Sequence, residues 1–286
     1  MLLEIAVGDA LGAGYEFNDP AIERHKADLL HGYVQHAKHV GITPGMYTDD
    51  TQMSIGTAEA LVSGDPWEPK TLVRHWLAAF QRDRRDGYAR GFQAFLESHD
   101  TVEAFLADIR PDSDRSGAAM RVGPVGLIAD PVRVVEMATV QAEVTHRTPG
   151  GVASAVAAAL MTWYCFHTTE PKKDLPAFLA ARVPGHAWDQ RWIGRVGVTG
   201  TECVAAALTA VVECDSLSTV LTHCIRYGGD VDTAAAIATA AASGSREIRQ
   251  DLPQHLIDGL ENGSYGRDYL VSLDEKLRAA TLSGHR

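Results

Sequence analysis

Read along its length, the chain alternates apolar runs with polar and glycine or proline breaks in a pattern that is helical nearly throughout. The pattern predicts helices near 2–11, 48–63, 69–82, 88–97, 101–108, 116–128, 131–143, 149–166, 200–213, 216–226, 232–243, 251–261 and 267–281. The punctuation agrees: Asp65-Pro66, Asp130-Pro131 and Thr148-Pro149 precede starts, and Gly64 and Gly244 fall near ends. Alternating β-branched strands are scarce. The valine-rich pieces, 122–128 and 196–199, are too short and too interrupted by glycine to build a sheet. Ala-rich helices around 149–160, 203–210 and 234–242 are suited to packing backbone against backbone. The expected fold is all-α, a single orthogonal multi-helix domain of about a dozen helices over residues 1–286, because no linker, charge block or internal repeat divides the chain. Two irregular stretches, 13–47 and 168–198, are long for a compact domain, and loops of that length are often functional.

One segment passes a first test for a membrane span. From Thr148 to Thr169 there is no Asp, Glu, Lys or Arg, about the length a bilayer requires. Its first half is dominated by glycine, alanine and serine, a composition that fits a central helix closely surrounded by other helices. The formal net charge of -11 argues against generic binding to nucleic-acid phosphates. An anionic small ligand stays possible, since helix N-termini and a few arginines hold phosphates locally. The four cysteines form no C-x-x-C pair, and three lie in apolar, Ala-rich segments, as buried thiols of a reducing compartment do. With no basic stretch and apolar run following Met1, the expected location is cytoplasmic.

The candidate chemistry lies in two acidic clusters, Thr48-Asp49-Asp50-Thr51 and Gly229-Asp230-Val231-Asp232-Thr233, each opening an apolar helical run. Either could serve only as a helix cap, with carboxylates favoured by the helix dipole. A cap needs one acceptor, however, and each start carries two carboxylates and a threonine. These are hard oxygen donors, suited to Mg²⁺, Mn²⁺ or Ca²⁺ rather than zinc or copper. Adjacent Asp49 and Asp50 project about 100° apart on a helix, so they can face two different ions. A third element, Gly8 to Phe17, sets Asp9 and Glu16 beside a glycine-rich turn that allows close approach of a ligand or another helix.

With these motifs the chain resembles the ADP-ribosylglycohydrolase superfamily, which includes the dinitrogenase reductase-activating glycohydrolases. The matching residues are Gly8–Gly12 with Glu16-Phe17, Thr48–Met53, Gly117–Arg121, Thr145-His146 and Gly228–Ala238, in the family's order. The resemblance implies an all-α fold with two divalent cations, Mg²⁺ or Mn²⁺, at the base of an ADP-ribose cleft. It implies that Thr48, Asp49, Asp50, Asp230, Asp232 and Thr233 surround the metals, with Glu16 on a mobile loop and Asp9 behind them. Ser116 and Gly117 would wrap the diphosphate, and His146 would line the ribose. The family often has Gly-Asn-Gly before its Ala-Met-Arg, where this chain has Asp114-Arg115-Ser116-Gly117, and it usually has threonine where this chain has Val231.

The implied reaction is hydrolysis at C1 of the distal ribose, releasing ADP-ribose from an arginine- or serine-linked protein or from an ADP-ribose-containing small molecule. Glu16, Asp50 and Asp232 are the candidates to accept the water proton. Two other readings are a catalytically silent ADP-ribose-binding protein of the same fold and a metal-dependent phosphohydrolase. Asp83 or Asp86 could meet an arginine substrate, or simply end a solvated helix. His36, His39, His75 and His223 have no spacing that suggests a site. The five tryptophans read as anchors, and Tyr88, Phe92 and Tyr227 as the candidates for stacking on adenine.

Overall fold

The computed structural model of the chain describes residues 1–282. Its α-helices are α1 Leu2–Ala13, α2 Asp19–His25, α3 Asp49–Ser63, α4 Pro69–Arg82, α5 Arg90–Ser98, α6 Val102–Asp108, α7 Gly117–Met120, α8 Pro131–Glu143, α9 Pro149–His167, α10 Leu175–Arg182, α11 Gly200–Glu213, α12 Leu217–Tyr227, α13 Val231–Ala242, α14 Gln254–Gly259 and α15 Arg267–Leu282. Two 3₁₀ turns, Gly123–Leu127 and Lys172–Asp174, complete them. Among the described residues there is no strand, only isolated bridges between loops. The fold is all-α.

The centre is α13, whose twelve residues are all buried. Seven of those residues are alanine, so neighbouring helices approach its backbone closely. Helix α1 lies along it: a Cβ on Gly12 would fall 2.4 Å from the Asp232 Cα, and one on Gly8 would fall 2.8 Å from the Thr239 hydroxyl. Gly8 and Gly12 of the N-terminal motif therefore serve helix packing. Helices α9, α11 and α12 close the other sides of α13. By length and composition α9 could cross a membrane, but two thirds of its apolar window (67%) is buried inside the protein, where it meets α8, α11 and α13. A second, aromatic core joins Trp76 and Phe80 of α4 to Tyr88, Phe92, Phe95 and Phe105.

The structure departs from the predicted elements in four places. The run 116–128 breaks into α7 and a 3₁₀ turn because Pro124 has no amide and disfavours helical geometry at the residue before it. The run 251–261 starts only at Gln254, after Pro253. The two long irregular stretches contain α2 and α10. Both are short, and α2 buries only Ala21, too little to produce a legible periodicity. Their start signals were present: the Asn18 side chain caps α2, and each helix has a proline at its second position.

Candidate active site

Asp9 is fully buried on α1 and reaches across to the start of α3. Its carboxylate accepts the Thr48 N–H at 2.9 Å, the Thr48 hydroxyl at 2.8 Å, the Thr51 N–H at 3.0 Å and the Thr51 hydroxyl at 2.6 Å. Thr48 itself caps α3, accepting from the Asp50 amide at 3.5 Å. The needs of this helix start are thus met by a carboxylate from another helix and a threonine. Capping therefore does not account for Asp49 and Asp50. Substituting Asp9 by Ala would leave four donors without an acceptor, each worth about 1–3 kcal/mol if left buried and unpaired. The expected net loss, after relief of a buried carboxylate, is about 3 kcal/mol in a urea titration.

The second cluster is positioned by a backbone device. Gly228 and Gly229 have φ of 66° and 90°, which side-chain-bearing residues rarely adopt. Around them the Val196 N–H donates to the Gly228 carbonyl at 3.0 Å and the Asp230 N–H donates to the Val196 carbonyl at 3.2 Å. Asp230 occupies the N-cap position of α13, yet its side chain makes no capping hydrogen bond. Here too the capping explanation fails.

The two clusters meet. Carboxylate oxygens of Glu16, Asp230 and Asp232 lie within 4.8 Å of one another. Burial, and then neighbouring carboxylates, hold Asp49, Asp50 and Asp232 well above the usual carboxylate range; Asp50 feels Asp49, Asp9 and Asp230, and Asp232 feels Glu16, Asp230 and Asp50. Asp230 is raised by burial and by Glu16. Thr233 favours the ionised forms of both Asp50 and Asp230, so its hydroxyl serves the two motifs at once. One oxygen each of Asp50 and Asp232 is buried without any hydrogen-bond partner. Buried carboxylate oxygens without partners, close to like-charged neighbours, are costly, and the usual compensation is a cation.

Glu16 is carried in by a strained turn. Phe17 has φ of 46°, and its N–H donates to the Gly229 carbonyl at 2.9 Å, tying the turn to the second cluster. Buried His36 places Nε2 3.1 Å from a Glu16 oxygen. Sequence reasoning missed this histidine, because some twenty residues separate it from its partner.

Ser116 reaches the same cluster, its hydroxyl donating to Asp230 at 3.3 Å. Gly117 starts the four-residue α7 and faces His146, which a Cβ there would approach to 3.1 Å. Burial pushes the His146 pKa down to about 3, with Arg121 adding to the effect. The ring is therefore neutral. Arg121, buried and without a carboxylate, donates to the Gln141 side chain and to the Thr145 hydroxyl. It also stacks 3.9 Å from the centre of the Trp76 ring. The Thr145 hydroxyl meets His146 Nδ1 at 2.7 Å. Through Thr145 the ring is thus tied to buried Arg121, while the Cε1–Nε2 edge faces Gly117.

A strap from Val196 to Gly200 joins these parts. It pairs with Gly228 and Asp230 at one end; at the other its Val198 carbonyl accepts the Ser116 N–H at 3.1 Å, and the Gly200 N–H donates to the Asp114 carbonyl at 3.0 Å. Its residue types carry no chemical signal, so only its place in a long irregular stretch pointed to it. Under the strap lies buried Cys203, whose thiol is pushed far up by burial and by Asp230.

Other candidates are committed elsewhere. Asp83 binds buried Arg85, which also joins Glu261 and the Tyr47 carbonyl. Asp86 is exposed. The Tyr88 hydroxyl donates to the Gln52 side chain at 2.7 Å and its ring is buried in the aromatic core, so it is not free to stack on a ligand; Phe92, half-buried, packs against Tyr88 and Phe105. Tyr227 packs against His223. The tryptophans are anchors: Trp76 and Trp188 are buried, and Trp67, Trp163 and Trp192 donate to backbone carbonyls.

The profile of the ADP-ribosylglycohydrolase family matches residues 1–285. The chain belongs to the ADP-ribosylglycohydrolase family. It is a glycohydrolase, and therefore an enzyme of hydrolysis acting on ADP-ribosyl groups. Similar proteins include the ADP-ribosyl-[dinitrogen reductase] glycohydrolase of Rhodospirillum rubrum, 24% identical over 272 residues that cover 91% of this chain and 88% of that one. An uncharacterized protein of Archaeoglobus fulgidus is 24% identical over 303 residues, covering 96% and 94%. A solved ADP-ribosylglycohydrolase-related protein complex shares the fold with a TM-score of 0.73 at 20% identity, covering 98% of this chain and 96% of that one.

Proposed function

We propose that this glycohydrolase cleaves the bond at C1 of the distal ribose and releases ADP-ribose from a modified protein side chain, linked through arginine or serine. The observation that carries the reading is the convergence of Asp49 and Asp50 with Glu16, Asp230 and Asp232 around unpartnered, buried oxygens. That donor set is all hard oxygen and fits divalent cations, so Thr48, Asp49, Asp50, Asp230, Asp232 and Thr233 would hold two, Mg²⁺ or Mn²⁺. Bound there, such cations supply Lewis-acid chemistry, orienting ribose hydroxyls and lowering the pKa of water.

The rest falls to the protein. One carboxylate of Glu16, Asp50 and Asp232 would accept a proton from the attacking water. His146, held neutral by burial, would hydrogen-bond on the ribose side, beside the Ser116–Gly117 turn that would follow the diphosphate. Burial of Asp50, Asp230 and Asp232 strengthens each of these contacts. The Rhodospirillum relative is named for a protein substrate, dinitrogen reductase, which supports a protein target here. The four free, buried thiols fit a cytoplasmic enzyme.

Product analysis tests the reaction class. Intact ADP-ribose released from an arginine- or serine-linked substrate, abolished by chelation and restored by Mn²⁺ or Mg²⁺, is the expected result. AMP or phosphate as product would contradict it and select the phosphohydrolase reading. Binding of ADP-ribose without turnover would select the silent one.

A further inference from the structure

The proposed site brings Glu16 up against Asp230 and Asp232, three carboxylates that repel one another. Something must therefore hold Glu16 inward before any cation arrives. Glu16 sits in a loop just beyond α1, and as a partly exposed side chain it could swing out to water. One side chain opposes that swing. His36 is 3% exposed, and its Nε2 lies 3.1 Å from Glu16 Oε2.

The ring's other nitrogen fixes which way the proton points. His36 Nδ1 accepts the backbone N–H of Lys38 at 3.1 Å and is approached by that of His39 at 3.4 Å. A nitrogen that accepts carries no proton, so the ring's hydrogen is on Nε2 and is donated to Glu16. The loop bearing His36 is itself anchored. The Gln35 amide donates to the Ile42 carbonyl at 2.7 Å, the Tyr33 hydroxyl donates to the Leu256 carbonyl at 2.7 Å, and the Lys38 ammonium sits 4.7 Å over the Phe17 ring. Together with the Phe17-to-Gly229 hydrogen bond, these contacts grip the Glu16 turn from both sides.

We propose that His36 is a positioning residue that holds the Glu16 carboxylate over Asp230 and Asp232, so that the cation pocket is complete before it is filled. The inference rests on the cation-site reading above. An outer-shell donor that orients a ligand typically changes metal affinity by about 10- to 100-fold when removed. Mn²⁺ binding to the purified protein, followed by electron paramagnetic resonance of free Mn²⁺, reads this directly and needs no turnover.

His36→Leu, which keeps apolar volume and removes the donor, is expected to weaken Mn²⁺ binding about 10-fold or more. His36→Gln, whose amide can still donate, is expected to retain most of it. In a Glu16→Gln background, His36→Leu should cost nothing further, because the group it positions is gone. Circular dichroism of each variant establishes that the helices are intact. An equal loss from His36→Leu with and without Glu16 would show a general structural role and overturn the proposal. Unchanged Mn²⁺ affinity in His36→Leu, with Asp232→Asn strongly impaired, would overturn it while sparing the site. If Asp232→Asn also binds Mn²⁺ normally, the cation-site reading falls and the role of His36 with it.

Discussion

Replacing Asp232 by Asn should lower ADP-ribose release by more than about 100-fold, given that outer-shell changes alone cost roughly 10- to 100-fold. The same substitution should make the cation-free protein more stable. Asp232 is buried, one of its oxygens has no partner, and Glu16, Asp230 and Asp50 all raise its pKa. A carboxyl group held above its unfolded value of 3.8 favours the folded state least when both states are ionised. Its penalty is absent below pH 3.8, grows as pH rises from there, and is complete above the raised folded value. At neutral pH the asparagine protein escapes it. A gain of about 1 kcal/mol would raise the melting temperature by roughly 2–4 °C in a protein of this size. Adding Mg²⁺ should reverse the order, because only the parent protein gains stability from binding. Melting curves of both proteins at acid and neutral pH, with and without Mg²⁺, check every part of this. A cation-free variant that melts lower than the parent at neutral pH would contradict it.

The second large effect is expected at Gly229. Its φ of 90° strains any residue with a side chain, by roughly 1–2 kcal/mol. In addition, a Cβ there would stand 1.8 Å from the Val196 carbonyl oxygen, so the strap must move. Gly229→Ala should therefore cost about 3 kcal/mol or more in urea unfolding. It should also abolish turnover, since the strap carries both the Asp230 backbone contact and the Ser116 contact. Gly64 is the control. It ends α3 with φ of 72°, and a Cβ at that position would have nothing within 4 Å, so Gly64→Ala should cost about 1 kcal/mol and leave activity intact. Equal costs at the two positions would mean that the strap is not held as described.

How far the sequence alone could lead follows from where each signal is written. Helices α3 and α9 were readable because long apolar runs and local caps are properties of contiguous residues, and α13 was readable from its apolar run alone. The acidic motifs stood out because paired carboxylates at a helix start exceed what a cap needs. What the sequence could not supply was any contact whose two halves lie far apart. Asp9 was visible as an acid beside glycines, but its grip on Thr48 and Thr51 depends on α1 lying along α13 and meeting α3. His36 looked ordinary because its partner, Glu16, is reached only through a folded loop. Tyr88 looked available for stacking until the aromatic core claimed it. The Val196–Gly200 strap has neither charge nor periodicity, and its importance lies wholly in backbone hydrogen bonds.

The central claim is that two acidic motifs, about 180 residues apart in the chain, share their cations. A Mn²⁺ titration of the parent protein beside Asp50→Asn and Asp232→Asn, followed by electron paramagnetic resonance, tests it most directly. Sharing requires two Mn²⁺ per parent chain and impaired uptake of both when either motif is changed. If each variant lost one ion and bound the other with parental affinity, or if the parent bound none, the shared centre would be contradicted.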